Sequence, residues 1–193
     1  MAKENDLKNY HARRDFDFTS EPFGARKATS IKDSQIFVIQ KHDASTHHYD
    51  FRLQINGVLK SWAIPKGPST DPKVKRLAIA TEDHPIEYAD FEGTIPEGQY
   101  GGGTVMVWDA GTYEVNQDKE KDAELSLEEA LKKGHATFVL HGKKIKGAYT
   151  LIRIEEGKNE QWLLKKVQDE MADARRNPTS TQNKSVLTDR TMN

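Results

Sequence analysis

The stretch His42–Arg52, HDASTHHYDFR, holds the side chains best suited to chemistry. In an extended chain, neighbouring side chains alternate between faces. His48, Asp50, Arg52 and Gln54 therefore share one face, and Tyr49, Phe51, Leu53 and Ile55 share the other. The second set is an ordinary core face, whereas the first lines up imidazole, carboxylate and guanidinium. Gln40 and His42 have matching parity on the preceding segment, and Asp43–His47 is short enough to be a hairpin connection. Paired across that hairpin, His42 and His48 have Cβ atoms about 4.5–5.5 Å apart. Two imidazoles at that separation can hold one metal ion at about 2.0–2.2 Å. Asp50 adds a hard oxygen, and with no sulfur ligand present the candidate ions are Mn²⁺, Fe²⁺, Co²⁺ and Zn²⁺. Beside such a centre, Arg52 suits an anion, because its planar fork matches phosphate or carboxylate. A metal and an arginine on one wall fit phosphoryl chemistry. The same row also describes a solvated sheet face, with Arg52 and Asp50 as a surface pair worth about 0–1 kcal/mol. Alternation alone does not separate the two. His47 points to the face opposite His48 and is not counted as a ligand.

A second region, Arg76–Tyr88 (RLAIATEDHPIEY), alternates so that Arg76, Ala78, Ala80, Glu82 and His84 are expected on one face. Its two alanines would leave room there, as in a pocket wall. His84 precedes Pro85, which favours an extended backbone. The glycine-rich loop Gly98–Gly103 could cradle phosphate through backbone N–H groups. No Lys-Ser/Thr follows its glycines, so it is not a P-loop and reads as a sharp turn at a barrel corner. Trp62, Trp108 and Trp162 read as core, and no nucleophile elbow is present.

The elements that must position these groups are mostly strands. Period-2 segments fall at Gln35–His42, His48–Ile55, Val58–Ile64, Arg76–Glu82, Thr104–Trp108, Thr112–Val115, Ala136–His141, Ala148–Ile154 and Gln161–Val167. Asn56-Gly57 is a strong hairpin signal, because both residues tolerate φ > 0. One helix is marked by Ser126 and Glu129, which form a capping box, and Gly134 ends it. The pattern predicts a mainly β fold: a compact barrel of about eight strands with one or two short flanking helices and flexible tails.

The chain divides into a polar segment at 1–30, a barrel domain at 31–167 and a polar tail at 168–193. The tail lacks an apolar period and is expected to be disordered. Among 193 residues, Lys and Arg number 29 and Asp and Glu 30, giving a net charge of −1. Any nucleic-acid contact must then come from a local patch and not from the whole surface. There are no cysteines, which excludes disulfides, Cys-ligated zinc, iron–sulfur clusters and thiol catalysis. A reduced, cytoplasmic setting fits. The first residues lack the apolar core of a secretory signal, and no run approaches the roughly 18 apolar residues of a membrane span.

The run FVIQKH, HYDFRL, NGVLKSWAIPKGPS, KRLAI, EDHP, EYADFEG and IPEGQYG, closing with LHGKKIKGAYTLIRI and WLLKK, resembles the 3′-phosphoesterase domain of DNA ligase D, the multifunctional ligase of prokaryotic non-homologous end joining. The resemblance covers about residues 34–167 and, with no room for ligase or polymerase domains, implies a free-standing member. It implies a compact β-barrel with a polar crescent, using Mn²⁺ with Co²⁺ or Zn²⁺ as substitutes. It further implies action on nucleic-acid 3′ ends at primer–template junctions: removal of a 3′-terminal ribonucleoside to leave a 3′-phosphate, then of that phosphate to leave a 3′-OH. Implied partners are an end-joining ligase, a polymerase or end-binding proteins. By the same resemblance His42, His48 and Asp50 are metal ligands. Arg52, His84 and Tyr88 are catalytic or phosphate-contacting; in the mechanism these residues suggest, Arg52 and His84 stabilise phosphoryl charge, Tyr88 donates a hydrogen bond, and His84, if protonated, also donates to the leaving oxygen. Gln40, Lys66, Arg76 and Glu82 support the site, and Arg14, Asp15 and Glu21 serve the diesterase step from the N-terminal segment. Ser45-Thr46-His47 replaces the arginine and leucine that many members carry before His-Tyr-Asp. Two other classes fit the residues alone: an Fe(II) facial-triad oxygenase and a non-catalytic metal-bearing module that docks DNA ends or partners.

Overall fold

The computed structural model describes residues 6–24, 35–116 and 125–192. Asn56 and Gly57 adopt φ of 52° and 84°, as a tight two-residue hairpin requires. They fold β2 (His47–Ile55) onto β3 (Val58–Ile64). On its other edge β2 pairs with β1 (Ile36–Asp43), and His42 lies directly opposite His48. There follow β4 (Lys75–Pro85), a 3₁₀ turn (Ile86–Asp90), β5 (Gly93–Ile95), β6 (Gly103–Val115), β7 (His135–Gly142), β8 (Lys146–Glu155) and β9 (Gln161–Lys166). The strand order is β1-β2-β3-β4-β9-β8-β7-β6-β5, and a β1–β6 pairing closes eight of the strands into a barrel, with β5 as an extra strand on β6. The two short strands expected at Thr104–Trp108 and Thr112–Val115 are one continuous β6. Gly111 permits this close pairing, since a Cβ there would meet the His141 carbonyl oxygen at 2.0 Å. The helices are short: α1 (Lys8–Ala12), α2 (Leu127–Lys132) and α3 (Pro178–Thr181). Ser126 and Glu129 form the expected capping box on α2. Among the described residues no helix is long and apolar enough to cross a membrane.

Phe51, Leu53, Trp62, Ile64, Trp108, Phe138, Leu151, Trp162 and Leu164 fill the barrel. A second apolar cluster, Tyr10, Val38, Leu59, Tyr88, Phe91 and Val107, lies where the N-terminal arm (residues 6–24) and the 3₁₀ turn cover the wall.

Two expectations are corrected here. Arg76, Ala78 and Ala80 do not share a face with His84. Ser61 pairs with Thr81 but Leu59 pairs with His84, so β4 spends three steps where β3 spends two. This β-bulge reverses the facing of the strand. Ala78, opposite Trp162, is fully buried in the core, whereas Ala80, opposite Trp62, lines a cavity with Trp62, Thr81 and Trp162 that His84 does not share. The other correction is the tail, expected to have no fixed place, which instead runs back over the barrel. The Gln182 carbonyl accepts from Trp108 Nε1, and the Thr179 carbonyl accepts from the Tyr49 hydroxyl at 3.2 Å. Lys144 Nζ donates to the Lys184 carbonyl, and Val186 N to Val107 O at 3.0 Å. Backbone carbonyls of the strap satisfy several buried donors of the barrel, and the Ser185 and Thr188 hydroxyls and the Asp169 carboxylate add bonds to Glu92 and Lys166; none of these leaves an apolar period behind.

Candidate metal centre

The β1–β2 hairpin brings His42, His48 and Asp50 together on its outer face, with ligand atoms within 4.8 Å of one another. Each imidazole is fixed from behind. His42 Nε2 lies 2.7 Å from the Gly101 carbonyl, and His48 Nδ1 lies 2.9 Å from the Thr46 carbonyl. A carbonyl only accepts, so each of those nitrogens carries the proton. In the neutral rings His42 Nδ1 and His48 Nε2 are therefore left as lone pairs. Both face the carboxylate, at 3.4 Å from Asp50 Oδ2 and 3.4 Å from Asp50 Oδ1. Three electron-rich atoms converging in this way need a cation among them, either a proton or a metal ion. Two nitrogens and one oxygen, each nitrogen oriented by an outer hydrogen bond, are a donor set that fits a divalent transition metal.

Behind Asp50 lies Arg52, 2% exposed. Its Nε donates to Gln40 Oε1 at 2.7 Å, Nη1 to Ser61 Oγ at 2.8 Å, and Nη2 lies 3.5 Å from Asp50 Oδ2. Burial alone would raise the Asp50 carboxyl, but Arg52 and the two imidazoles outweigh it and hold the acid well below the usual carboxylate range. Burial likewise opposes protonation of His48, yet its contact with Asp50 wins and raises it. Gln40 is fully buried and donates to the Tyr88 and Phe91 carbonyls at 2.8 and 3.1 Å. It thereby ties the guanidinium to the 3₁₀ turn, and the Tyr88 ring lies 4.8 Å from Arg52 Cζ.

The arm closes the other side. Arg14 pairs with Glu21 at 2.9 Å and with Glu82 at 3.1 Å. The Tyr88 hydroxyl donates to Glu21 Oε1 at 2.9 Å. His84 Nδ1 lies 2.9 Å from the Glu82 carbonyl, so Nε2 accepts from Arg14 Nη2 at 3.3 Å. Burial, with Arg52 and Arg14 adding to it, holds His84 well below the ordinary histidine range. Burial likewise raises the Tyr88 phenol well above its ordinary range. A protonated His84 and a Tyr88 proton aimed at phosphate are therefore not what this arrangement holds. The imidazole is a neutral acceptor for Arg14, and the phenol proton is committed to Glu21.

Of the expected site residues, the structure gathers His42, His48, Asp50, Arg52, Gln40, Glu82, His84, Tyr88, Arg14 and Glu21. Three stand apart. Lys66 is exposed in the turn after β3. Arg76 shares the face of Ala78, which the bulge turns to the core side. Asp15 is exposed and accepts from Asp17 N within its own turn. Sequence reasoning did not find Ser61, Tyr10 or Tyr100. Ser61 had a signal in its parity, since it pairs with Arg52 across β2 and β3.

Residues 40–153 match the DNA ligase D 3′-phosphoesterase domain family. The chain belongs to that family. The multifunctional non-homologous end joining protein LigD of Pseudomonas aeruginosa is 48% identical over 170 residues, covering 88% of this chain and 19% of that protein. The multifunctional non-homologous end joining DNA repair protein LigD of Mycobacterium tuberculosis is 43% identical over 164 residues, covering 85% and 20%. The LigD of Mycolicibacterium smegmatis is 39% identical over 164 residues, covering 85% and 21%. The chain thus spans about a fifth of the length of these relatives. The family match takes in every residue of the hairpin cluster from Gln40 to Arg52, and Glu82, His84 and Tyr88 with it. It begins after Arg14 and Glu21, which the fold brings to the same place.

Proposed function

We propose that this protein is a metal-dependent 3′-phosphoesterase of DNA end joining. It removes a 3′-terminal ribonucleoside at a primer–template junction to leave a 3′-phosphate, then that phosphate to leave a 3′-OH. The observation that carries this is the convergence of two oriented imidazole lone pairs and the Asp50 carboxylate in front of a buried arginine. His42, His48 and Asp50 would hold the ion, Mn²⁺ with Co²⁺ or Zn²⁺ as substitutes. When bound it supplies Lewis-acid polarisation of a phosphoryl oxygen. Arg52 is locked by Gln40 and Ser61, so its charge is already in place when negative charge develops on the phosphoryl group. Arg14 is held by Glu21, Glu82 and His84 and supplies a second fixed cation on the arm side. The reaction's setting, by kinship, is the cytoplasm, beside an end-joining ligase, polymerase or end-binding protein. Family membership favours phosphoryl transfer over the oxygen chemistry that the same ligand set supports.

The test is an end-labelled primer–template with one 3′-terminal ribonucleotide, incubated with Mn²⁺ or with EDTA. Metal-dependent shortening to a 3′-phosphate and then a 3′-OH is expected, and His42→Ala should abolish both steps. A folded protein with no turnover on Mn²⁺, Co²⁺ or Zn²⁺ would favour a docking module instead.

A further inference from the structure

The N-terminal arm and the glycine-rich turn meet at Tyr100, a contact the chemistry above does not use. Tyr100 precedes Gly101, whose carbonyl fixes His42 Nε2 at 2.7 Å. Gly101 has φ of +74°, a backbone state with little intrinsic preference to hold its peptide in one direction. The turn's own hydrogen bonds, Gln99 N to Pro96 O and Gly102 N to Gln99 O, leave the Gly101 carbonyl to His42. What grips the turn from outside is Tyr100. Arg13 Nη1 donates to its hydroxyl oxygen at 2.7 Å, and that hydroxyl donates to Glu82 Oε2 at 3.4 Å. Arg13 Cζ lies 5.0 Å from the ring centroid. Arg13 also pairs with Glu82 at 3.1 Å, and the Glu82 side chain is only 4% exposed. The chain of contacts therefore runs from the arm, through Arg13 and the Tyr100 hydroxyl, to the turn and on to the imidazole.

We propose that Arg13 and Tyr100 are positioning residues that clamp the glycine-rich turn to the N-terminal arm, so that the Gly101 carbonyl holds the His42 ring with Nδ1 turned toward Asp50. This rests on the reading of His42 as a metal ligand. It makes arm docking and metal binding two ends of one equilibrium. Linkage is reciprocal, so a metal held at His42 tightens the arm, and a loosened arm weakens the metal.

The test uses the full chain as wild type, Tyr100→Phe, Arg13→Gln and His42→Ala. Mn²⁺ affinity is read from the electron paramagnetic resonance of the free ion. Exchange of the amides of residues 10–14 is followed with and without Mn²⁺. Tyr100→Phe keeps the ring and removes only the hydroxyl, and Arg13 is exposed, so both variants are expected to fold, with circular dichroism and melting as the check. Loss of a ligand's direct partner weakens a metal by about 10–100-fold. One step further out, a loss of about three- to tenfold is expected in both variants. Mn²⁺ should slow arm exchange in wild type and fail to do so in Tyr100→Phe. If wild type binds Mn²⁺ but both variants bind equally well and arm exchange ignores the metal, the clamp is overturned while the metal assignment stands. If wild type binds no Mn²⁺, or His42→Ala binds as well as wild type, the metal reading itself fails.

Discussion

Replacing Arg14 with methionine removes the charge beneath the arm and keeps most of its volume. Arg14, Glu21 and Glu82 are all at most 4% exposed at the side chain. Removing one partner of a buried ion pair costs about 3–5 kcal/mol, chiefly because the other charge is left uncompensated. Two features pull this toward the lower figure. Glu21 keeps the Thr19 and Tyr88 hydroxyls, and Glu82 keeps Arg13 and Tyr100. The arm can also lift and return both carboxylates to water. A loss of about 3 kcal/mol corresponds to a roughly 150-fold fall in the ratio of docked to lifted arm. Native-state hydrogen exchange reads this directly. The His11 and Arg14 amides, bonded to the Leu7 and His11 carbonyls, should exchange about 150-fold faster, and amides of β2 and β3 should not change. Arg14→Lys, which restores the charge without the fork, should fall between. Arm protection within about threefold of wild type would refute the ion-paired anchor. Barrel amides loosened as much as the arm would show that the arm does not lift on its own.

His84 gives a pH dependence whose sign follows from its burial. Its folded-state range lies well below the usual one, and the unfolded chain titrates near 6.5. The stability of the neutral form is thus fully present above about pH 6.5 and is lost as the pH falls. Between pH 7 and pH 5, wild type should lose more stability than His84→Gln in urea denaturation, and parallel losses would contradict a neutral imidazole. Ending the chain after Val167 removes the acceptors of Trp108 Nε1 and of Lys144 Nζ. Each buried donor orphaned costs about 1–3 kcal/mol, so melting should fall by at least about 4 °C with a red shift of tryptophan fluorescence. Melting within about 2 °C of the full chain would show the strap to be dispensable.

The β1–β2 hairpin was legible because alternation and connection length together set its register: His42 pairs with His48, and Tyr49, Phe51 and Leu53 point inward. The β4 bulge was not, since one extra residue between Thr81 and His84 leaves no mark in composition or spacing. Strict alternation accordingly put Arg76 and the two alanines on the wrong side. The arm was legible only through kinship. Arg14 and Glu21 look like solvated charges in a polar segment, and their burial comes from a fold that sets Glu82 and Tyr88 against them. The C-terminal strap was missed for a related reason: its attachment uses main-chain groups, which every residue carries, and scattered polar side chains such as Ser185, Thr188 and Asp169 that look like solvated ones.

The β4 bulge acts as a phase shift in a strand that otherwise keeps time in twos. Ahead of it, the beat places Ala78 and Ala80 against the tryptophans inside the barrel; after it, the beat places His84 outside, under the arm. One strand thus serves the interior and the site in turn. The spacing between Thr81 and His84 then matters more than the identity of what fills it. Losing the bulge while keeping the length would put the strand back in strict alternation and swing the imidazole inward, emptying the place where Arg14 finds its acceptor. An exchange of side chains along the same four positions would leave the rhythm untouched.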